Sequence, residues 1–140
     1  MTLLALDFGT KRIGVAVGNL LTGTGQPLAA IVNDGKTVIT QIQALVQQYQ
    51  AQTLIIGLPL TANNEAQAIT RKVEGFAGLL QKQLTIPLVW VDERYSSEEA
   101  ERRLAGLRRQ GQRKSRVTPA DKDSMSAVIL LEDYCRQIDT

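Results

Sequence analysis

The chain has 140 residues, of which 44% are hydrophobic and 21% are charged, and it contains one cysteine and no histidine. This length suits a single domain over residues 1–140, able to bury about two-thirds of its unfolded surface. A lone cysteine excludes an internal disulfide. The absence of histidine excludes Ser-His-Asp and Cys-His catalytic groups and any zinc site with a histidine ligand. Any catalysis must use carboxylates, lysine, arginine, hydroxyl groups or a bound metal.

The sequence contains no run of 18 apolar residues, and no basic region precedes the first acid, Asp7. It therefore predicts neither a membrane span nor a signal peptide. We expect a cytoplasmic protein without a membrane partner.

The net charge of +2 conceals an uneven distribution of charge. A basic segment, residues 102–122, holds eight basic residues and one acid and carries +7, whereas the remaining residues carry −5. Such a segment is either a solvated helix face with a loop or a strip that binds a polyanion. Contacts from Lys and Arg to phosphate dominate affinity for nucleic acids, so the second interpretation predicts a nucleic-acid partner.

Apolar patterning predicts the elements in the first part of the chain. We expect strands over residues 3–8, 13–17 and 27–32. The turn at residues 9–12 joins the first two strands, and residues 23–25 are predicted to form a loop. Apolar residues at helical spacing predict a helix over residues 38–49.

The remainder of the chain alternates strands with helices. We expect strands over residues 53–56 and 86–91, and helices over residues 65–83, from the capping box at 96 to about 109, and from Thr118 onward. This order predicts an α/β fold with a mixed five-stranded sheet, in which three antiparallel strands are followed by two parallel ones, with helices on both faces.

Acidic residues lie at the ends of two predicted strands and on the last helix. Asp7 ends the first strand, and Asp92 and Glu93 end the last. Because successive strand residues face opposite sides, only one of Asp92 and Glu93 can share a pocket with Asp7. Asp123 continues the apolar face of the last helix, so we expect it to point at the sheet.

Acids that converge from three elements in a histidine-free chain predict a site for Mg²⁺ or Mn²⁺, because hard divalent ions prefer oxygen ligands. With one or two such ions, phosphodiester cleavage needs no histidine base. The alternative is structural. Asp7 would then form an ion pair with Lys11 or Arg12 across the turn. The acids at 92–93 would pair with Arg94.

Two segments are candidates for phosphate contacts. Lys11 and Arg12 follow Asp7 closely and are predicted either to meet a phosphate or to be solvated bases of a plain turn. The loop over residues 57–64 joins a strand to a helix, whose N-terminal amides are suited to an anion. This loop lacks the Gly-rich Lys-Ser/Thr sequence of a P-loop.

Four segments, in this order and spacing, closely resemble the YqgF/RuvX family: LALDFGTKRIGVAV, IIGLPL, VDERYSSEEAERRL and DKDSMSAVILLEDYC. The members of this family are small relatives of Holliday-junction resolvases with a ribonuclease H-like fold. The resemblance covers nearly the whole chain. It implies a divalent-metal-dependent nuclease that acts in maturation of the 5′ end of pre-16S ribosomal RNA. Carried over residue by residue, it assigns the catalytic and metal-binding roles to Asp7, Glu93 and Asp123.

The predicted contacts to nucleic acid come from the turn, the loop and the basic region. They are Lys11, Arg12, Asn63, Arg94, Arg108, Arg109, Arg113, Lys114 and Arg116. The sequence departs from the family at residues 18–19, 63–65 and 122–127. None of these departures removes one of the three acids, but the second alters the expected substrate contacts around Asn63.

Two other functions stay open at this point. Residues 7–11 also resemble the first phosphate motif of sugar kinases and actin-like ATPases, although those folds need two domains to close over a nucleotide. The other alternative is a module that binds structured RNA or branched DNA without catalysis. We expect pre-ribosomal RNA as the partner, with branched DNA as the alternative, and a monomer or weak homodimer.

Overall fold

The computed structural model describes residues 1–59, 64–93 and 119–138, which form five strands and three helices. The strands are β1 (Thr2–Asp7), β2 (Arg12–Asn19), β3 (Thr24–Val32), β4 (Thr53–Pro59) and β5 (Leu88–Glu93). The helices are α1 (Val38–Tyr49), α2 (Asn64–Gln83) and α3 (Pro119–Ile138). The helix predicted over residues 96–109 and the cap predicted at Thr118 lie outside the described residues.

The five strands form one sheet in the order β3-β2-β1-β4-β5. β1 and β3 run antiparallel to β2, whereas β1, β4 and β5 run parallel to one another. The predicted sheet of three antiparallel strands followed by two parallel ones is confirmed. The carboxyl ends of the three parallel strands lie at one edge of the sheet, which is where α/β proteins place their ligands.

Alternation along β1 sends side chains to two separate cores. Leu3 and Ala5 belong to an apolar cluster with α3, whereas Leu4 and Leu6 belong to a cluster with α1 and α2. All four side chains are fully buried. Burial of each leucine contributes roughly 1.5–3 kcal/mol. Helices thus cover both faces of the sheet, as the order of the elements predicts.

The prediction of a loop at residues 23–25 is wrong for two of the three positions, because β3 begins at Thr24 and Gly25 pairs with Gly18 on β2. This glycine pair lies beneath α3, since a Cβ atom at Gly18 would come within 2.6 Å of Leu131 Cδ2. The glycines therefore allow the helix to approach the sheet. Gly23 does form a turn, with φ at +69°.

The start of α1 is held by a side chain that precedes it. The Asp34 carboxylate accepts hydrogen bonds from the main-chain amides of Lys36 and Thr37, over 3.0 and 2.9 Å, and from the Thr37 hydroxyl over 2.6 Å. These bonds, led by the hydroxyl, lower the pKa of Asp34 from 3.8 to about 2. None of the helices in the described ranges is long and apolar enough to cross a membrane.

Candidate active site

Asp7 and Asp123 both lie next to Gly14 at the carboxyl edge of the sheet. Asp7, the half-buried last residue of β1, lies directly opposite Gly14 on β2. Opposite residues of an antiparallel pair share a face of the sheet. A Cβ atom at Gly14 would overlap the main-chain carbonyl of Asp123. The first turns of α3 therefore lie over Asp7 and Gly14, and two acids far apart in sequence share one corner of the molecule.

A buried serine holds α3 against strands β2 and β3 at this corner. Beside Gly14 the register between β2 and β3 shifts, which marks a β-bulge. Ser124, only 2% exposed, lies against it. Its hydroxyl donates a hydrogen bond to the carbonyl of Leu28 over 2.7 Å and accepts one from the amide of Val15 over 3.4 Å. The hydroxyl thus ties α3 to both strands and positions the preceding residue, Asp123.

Asp123 forms an ion pair with a basic side chain of β2. Arg12 Nε donates a hydrogen bond to Asp123 Oδ2 over 3.0 Å, and the two side chains are 37% and 31% exposed. A partly exposed pair of this kind contributes about 1 kcal/mol or less, because water screens it. The sequence predicts Arg12 or Lys11 as a structural partner for Asp7, and the described contact of Arg12 is with Asp123.

The turn that carries Lys11 and leads into Arg12, the first residue of β2, is braced by Asn33. A Cβ atom at Gly9 would overlap the carbonyl of Arg12, so the turn is as tight as only glycine permits. Asn33, just beyond β3, donates from its side-chain amide to the Gly9 carbonyl and from its main-chain amide to the Lys11 carbonyl, both over 2.9 Å. Lys11 itself is exposed. The hydrogen-bonded turn and the start of β2 therefore place Lys11 and Arg12 near Asp7.

The register of β5 distinguishes between Asp92 and Glu93. Glu93 pairs with Pro59 at the carboxyl edge. It lies two residues after Val91, which is buried in the cluster beneath α3, and therefore takes the same side of the strand. Asp92 takes the other side. Because alternate strand positions face opposite sides, the backbone places Glu93 on the face that Asp7 occupies. The side chains of both acids lie outside the described part of the structure.

A complete metal site is therefore not built by the described side chains, among which no three acids or cysteines lie close enough to hold an ion. The set of Asp7, Glu93 and Asp123 stays a prediction. Most of the predicted nucleic-acid contacts also lie outside the described residues: Asn63, Arg94, Arg108, Arg109, Arg113, Lys114 and Arg116.

Three residues that position the site escaped the sequence analysis. Gly14 lies inside a strand, a location that often marks the close approach of another backbone and could have been noticed. Ser124 had no signal beyond its place after Asp123. Asn33 follows a strand, where an asparagine is ordinarily a loop residue.

Comparison with known proteins relates the whole chain to one family of nucleases. Residues 1–137 match the family model described as "RuvX: Holliday junction resolvase". A protein of Salmonella arizonae named "Putative pre-16S rRNA nuclease" is 41% identical over 137 residues, which cover 97% of this chain and 96% of the relative. A protein of the same name from Salmonella paratyphi B is 40% identical over the same shares.

Solved structures with a similar fold include two resolvases bound to DNA. RuvC of T. thermophilus in complex with a Holliday junction substrate superposes with a TM-score of 0.62 at 10% identity, over 99% of this chain and 96% of RuvC. The Fowlpox virus resolvase, also in complex with Holliday junction DNA, gives 0.59 at 11% identity over 100% of both chains. At these identities the likeness concerns the fold, which is the ribonuclease H-like fold of RuvC.

Proposed function

Because the chain belongs to the RuvX family, as its four motifs predict, we propose that it is a divalent-metal-dependent nuclease that matures the 5′ end of pre-16S ribosomal RNA. The observation that carries this proposal is the closeness of both Asp7 and the Asp123 backbone to Gly14 at the carboxyl edge of the sheet, which the absence of a side chain at Gly14 allows. We propose pre-16S rRNA as the substrate because the Salmonella relatives carry the name of a pre-16S rRNA nuclease.

The donor chemistry at this edge fits a hard divalent cation. Asp7 and Asp123 offer carboxylate oxygens and are neither fully buried nor fully exposed, so water still reaches them. Asp123 already attracts a positive group at 3.0 Å. Asp7, Glu93 and Asp123 would hold one or two Mg²⁺ or Mn²⁺ ions. A bound ion supplies Lewis-acid stabilisation of the charge that develops during phosphodiester hydrolysis.

The substrate would be held by bases on either side of these acids. Lys11 and Arg12 stand on the turn beside Asp7 and are suited to contact the phosphate near the bond to be broken. The basic segment, with Arg108, Arg109 and Arg113, would bind phosphates farther along the backbone. The acidic remainder of the chain would hold the cations.

Cleavage assays with a matched pair of variants test the proposal. The wild-type protein should cleave a 16S precursor fragment that retains its 5′ extension, in Mg²⁺ or Mn²⁺ and not in EDTA. Asp7→Asn should abolish cleavage while RNA binding in EDTA is retained. Asp133→Asn, which removes an acid that pairs with Arg136 farther along α3, is the control and should cleave normally. Full activity of Asp7→Asn would refute the assigned role of Asp7.

Branched DNA is the second candidate substrate, because the matching family model and both superposed resolvases concern Holliday junctions. A four-way DNA junction should therefore be assayed beside the RNA. Faster cleavage of the junction than of the precursor would replace RNA with branched DNA in the proposal. Binding of either substrate without cleavage in Mg²⁺ or Mn²⁺ would instead indicate a non-catalytic binding module.

A further inference from the structure

We infer that Arg12 is an exchangeable counter-ion of Asp123, which a divalent cation must displace and a substrate phosphate can draw away. This inference rests on the proposed function, since it concerns the affinity of the same site for its cation. It makes cation binding weak in the free protein and stronger when nucleic acid is bound.

The first step of the argument is the competition for one carboxylate. Arg12 Nε lies 3.0 Å from Asp123 Oδ2, and this oxygen is one of the few ligands that the described part of the site offers to a cation. A metal that coordinated this oxygen would displace the hydrogen bond from Arg12 and would lie close to the positive charge of the guanidinium. Arg12 in its described position therefore opposes cation binding.

The second step is that the scaffold holds the two residues in reach of each other. The main chain of Asp123 is in close contact with Gly14, and the Ser124 hydroxyl accepts a hydrogen bond from the amide of Val15. The turn preceding Arg12 is fastened by Asn33. Both backbones are thus held by neighbouring residues, whereas the long side chain of Arg12 is more than a third exposed and can leave Asp123 by rotation of its own bonds. Exchange of partners needs no movement of the fold.

The third step is that Arg12 has a second anion to go to. A guanidinium carries five N–H donors, and the described bond to Asp123 uses one. Arg12 and the exposed Lys11 stand together on the turn beside Asp7, where the phosphate of a substrate is expected. Phosphate is a strong partner for arginine. When Arg12 binds the phosphate, the Asp123 carboxylate becomes available to the cation. Nucleic acid and cation therefore each raise the affinity of the protein for the other.

Mn²⁺ binding to the free protein, followed by electron paramagnetic resonance, tests the competition without any turnover. The variants are Arg12→Gln, which removes the charge, Arg12→Lys, which keeps it, and Asp123→Asn, which removes the ligand. We expect Arg12→Gln to bind Mn²⁺ on the order of tenfold more tightly, because repulsion and competition both disappear. Arg12→Lys should stay within about threefold of the wild type. Thermal melting of each variant without metal verifies folding.

Three results bear on the inference. Tighter Mn²⁺ binding in Arg12→Gln, but not in Arg12→Lys, supports the inference. Unchanged or weaker binding in Arg12→Gln, with binding lost in Asp123→Asn, overturns the inference and leaves the proposed metal site intact. Unchanged Mn²⁺ binding in Asp123→Asn removes Asp123 from the metal site and overturns both.

Linkage to nucleic acid is measured on the same proteins with a labelled stem-loop RNA at constant ionic strength, in EDTA and in Ca²⁺. The wild type should bind the RNA several-fold more tightly in Ca²⁺, and Arg12→Gln should show a smaller gain. An equal gain in both proteins would overturn the coupling, since Arg12 would then play no part in it.

Discussion

Against one face of the sheet, α1 and α2 pack large apolar side chains, and the rings of Phe8 and Phe76 lie 5.1 Å apart. Against the other face, α3 packs on strands that present glycines at 14, 18 and 25, and its first turns make polar contacts through Asp123 and Ser124. The first face is filled by side-chain volume. The second also buries an apolar cluster, but its glycines let the α3 backbone approach the strand ends. Both faces therefore stabilise the sheet, whereas the described candidate acids, Asp7 and Asp123, lie on the α3 face.

The largest effect on stability is expected on the α1–α2 face. Leu80→Ala removes a fully buried side chain from this cluster and should lower the free energy of unfolding by about 3 kcal/mol, because the helices cannot fully close the cavity. Leu79→Ala, at a neighbour that is 55% exposed, is the control and should change little. Urea denaturation measures both. Cleavage per folded molecule should be normal in Leu80→Ala, and a lost activity would contradict the placement of the candidate site on the α3 face.

On the α3 face, the smallest possible enlargement should damage both stability and activity. Gly14→Ala places a Cβ atom where the carbonyl of Asp123 lies, and backbone cannot yield as a side chain can. We expect a loss of about 2 kcal/mol and reduced cleavage, since Asp123 moves away from Asp7. Gly75→Ala in α2, where a Cβ meets nothing within 4 Å, should instead stabilise by about 1 kcal/mol. Equal behaviour of the two variants would contradict the close approach.

Removal of the Ser124 hydroxyl should have an intermediate effect. Ser124→Ala leaves the Leu28 carbonyl and the Val15 amide without this partner, at an expected cost of about 1.5 kcal/mol. Ser126→Ala, at an equally buried serine of α3, should cost less, because its hydroxyl makes no bond to a strand within the described residues. Mn²⁺ affinity should fall only in Ser124→Ala. An unaltered affinity there would limit Ser124 to a stabilising role.

The smallest effect concerns pH and the α1–α2 face. The depressed pKa of Asp34 means that its contribution to stability is present above pH 3.8 and is lost as the pH falls through about 2. Asp34→Asn should remove this part of the acid sensitivity, because an amide stays neutral throughout. Unfolding midpoints of both proteins between about pH 5 and pH 2 provide the measurement. Curves that stay parallel across this range would show that Asp34 does not anchor α1.

How far the sequence predicts the molecule differs between the same two faces. The helix expected over residues 38–49 matches α1 at both ends, because its apolar residues repeat at helical spacing and it packs on a broad apolar surface. On the α3 face, the sequence predicts a loop at Gly25, which in the structure pairs with Gly18 within the sheet. A glycine that accommodates a neighbouring helix and a glycine that forms a turn look the same in sequence.

The sequence predicts the acids of the candidate site but not the hydrogen bonds that link them to distant residues. Asp7 and Asp123 follow from their places at a strand end and on an apolar helix face. The bond from Arg12 to Asp123 joins residues 111 positions apart, and no local pattern encodes such a pairing. The same holds for Ser124, whose hydroxyl reaches two strands that precede it by 96 and 109 positions.

The order of the elements also sets when the site is assembled during synthesis. All five strands and Arg12 precede α3 in the chain, so a nascent polypeptide contains the whole sheet before it contains Asp123 or Ser124. Domains generally fold as units, so the sheet cannot complete the domain before α3 has been made. A partly made chain therefore carries Asp7 without its opposing acid, and the acid pair is first completed when the last helix docks across Gly14.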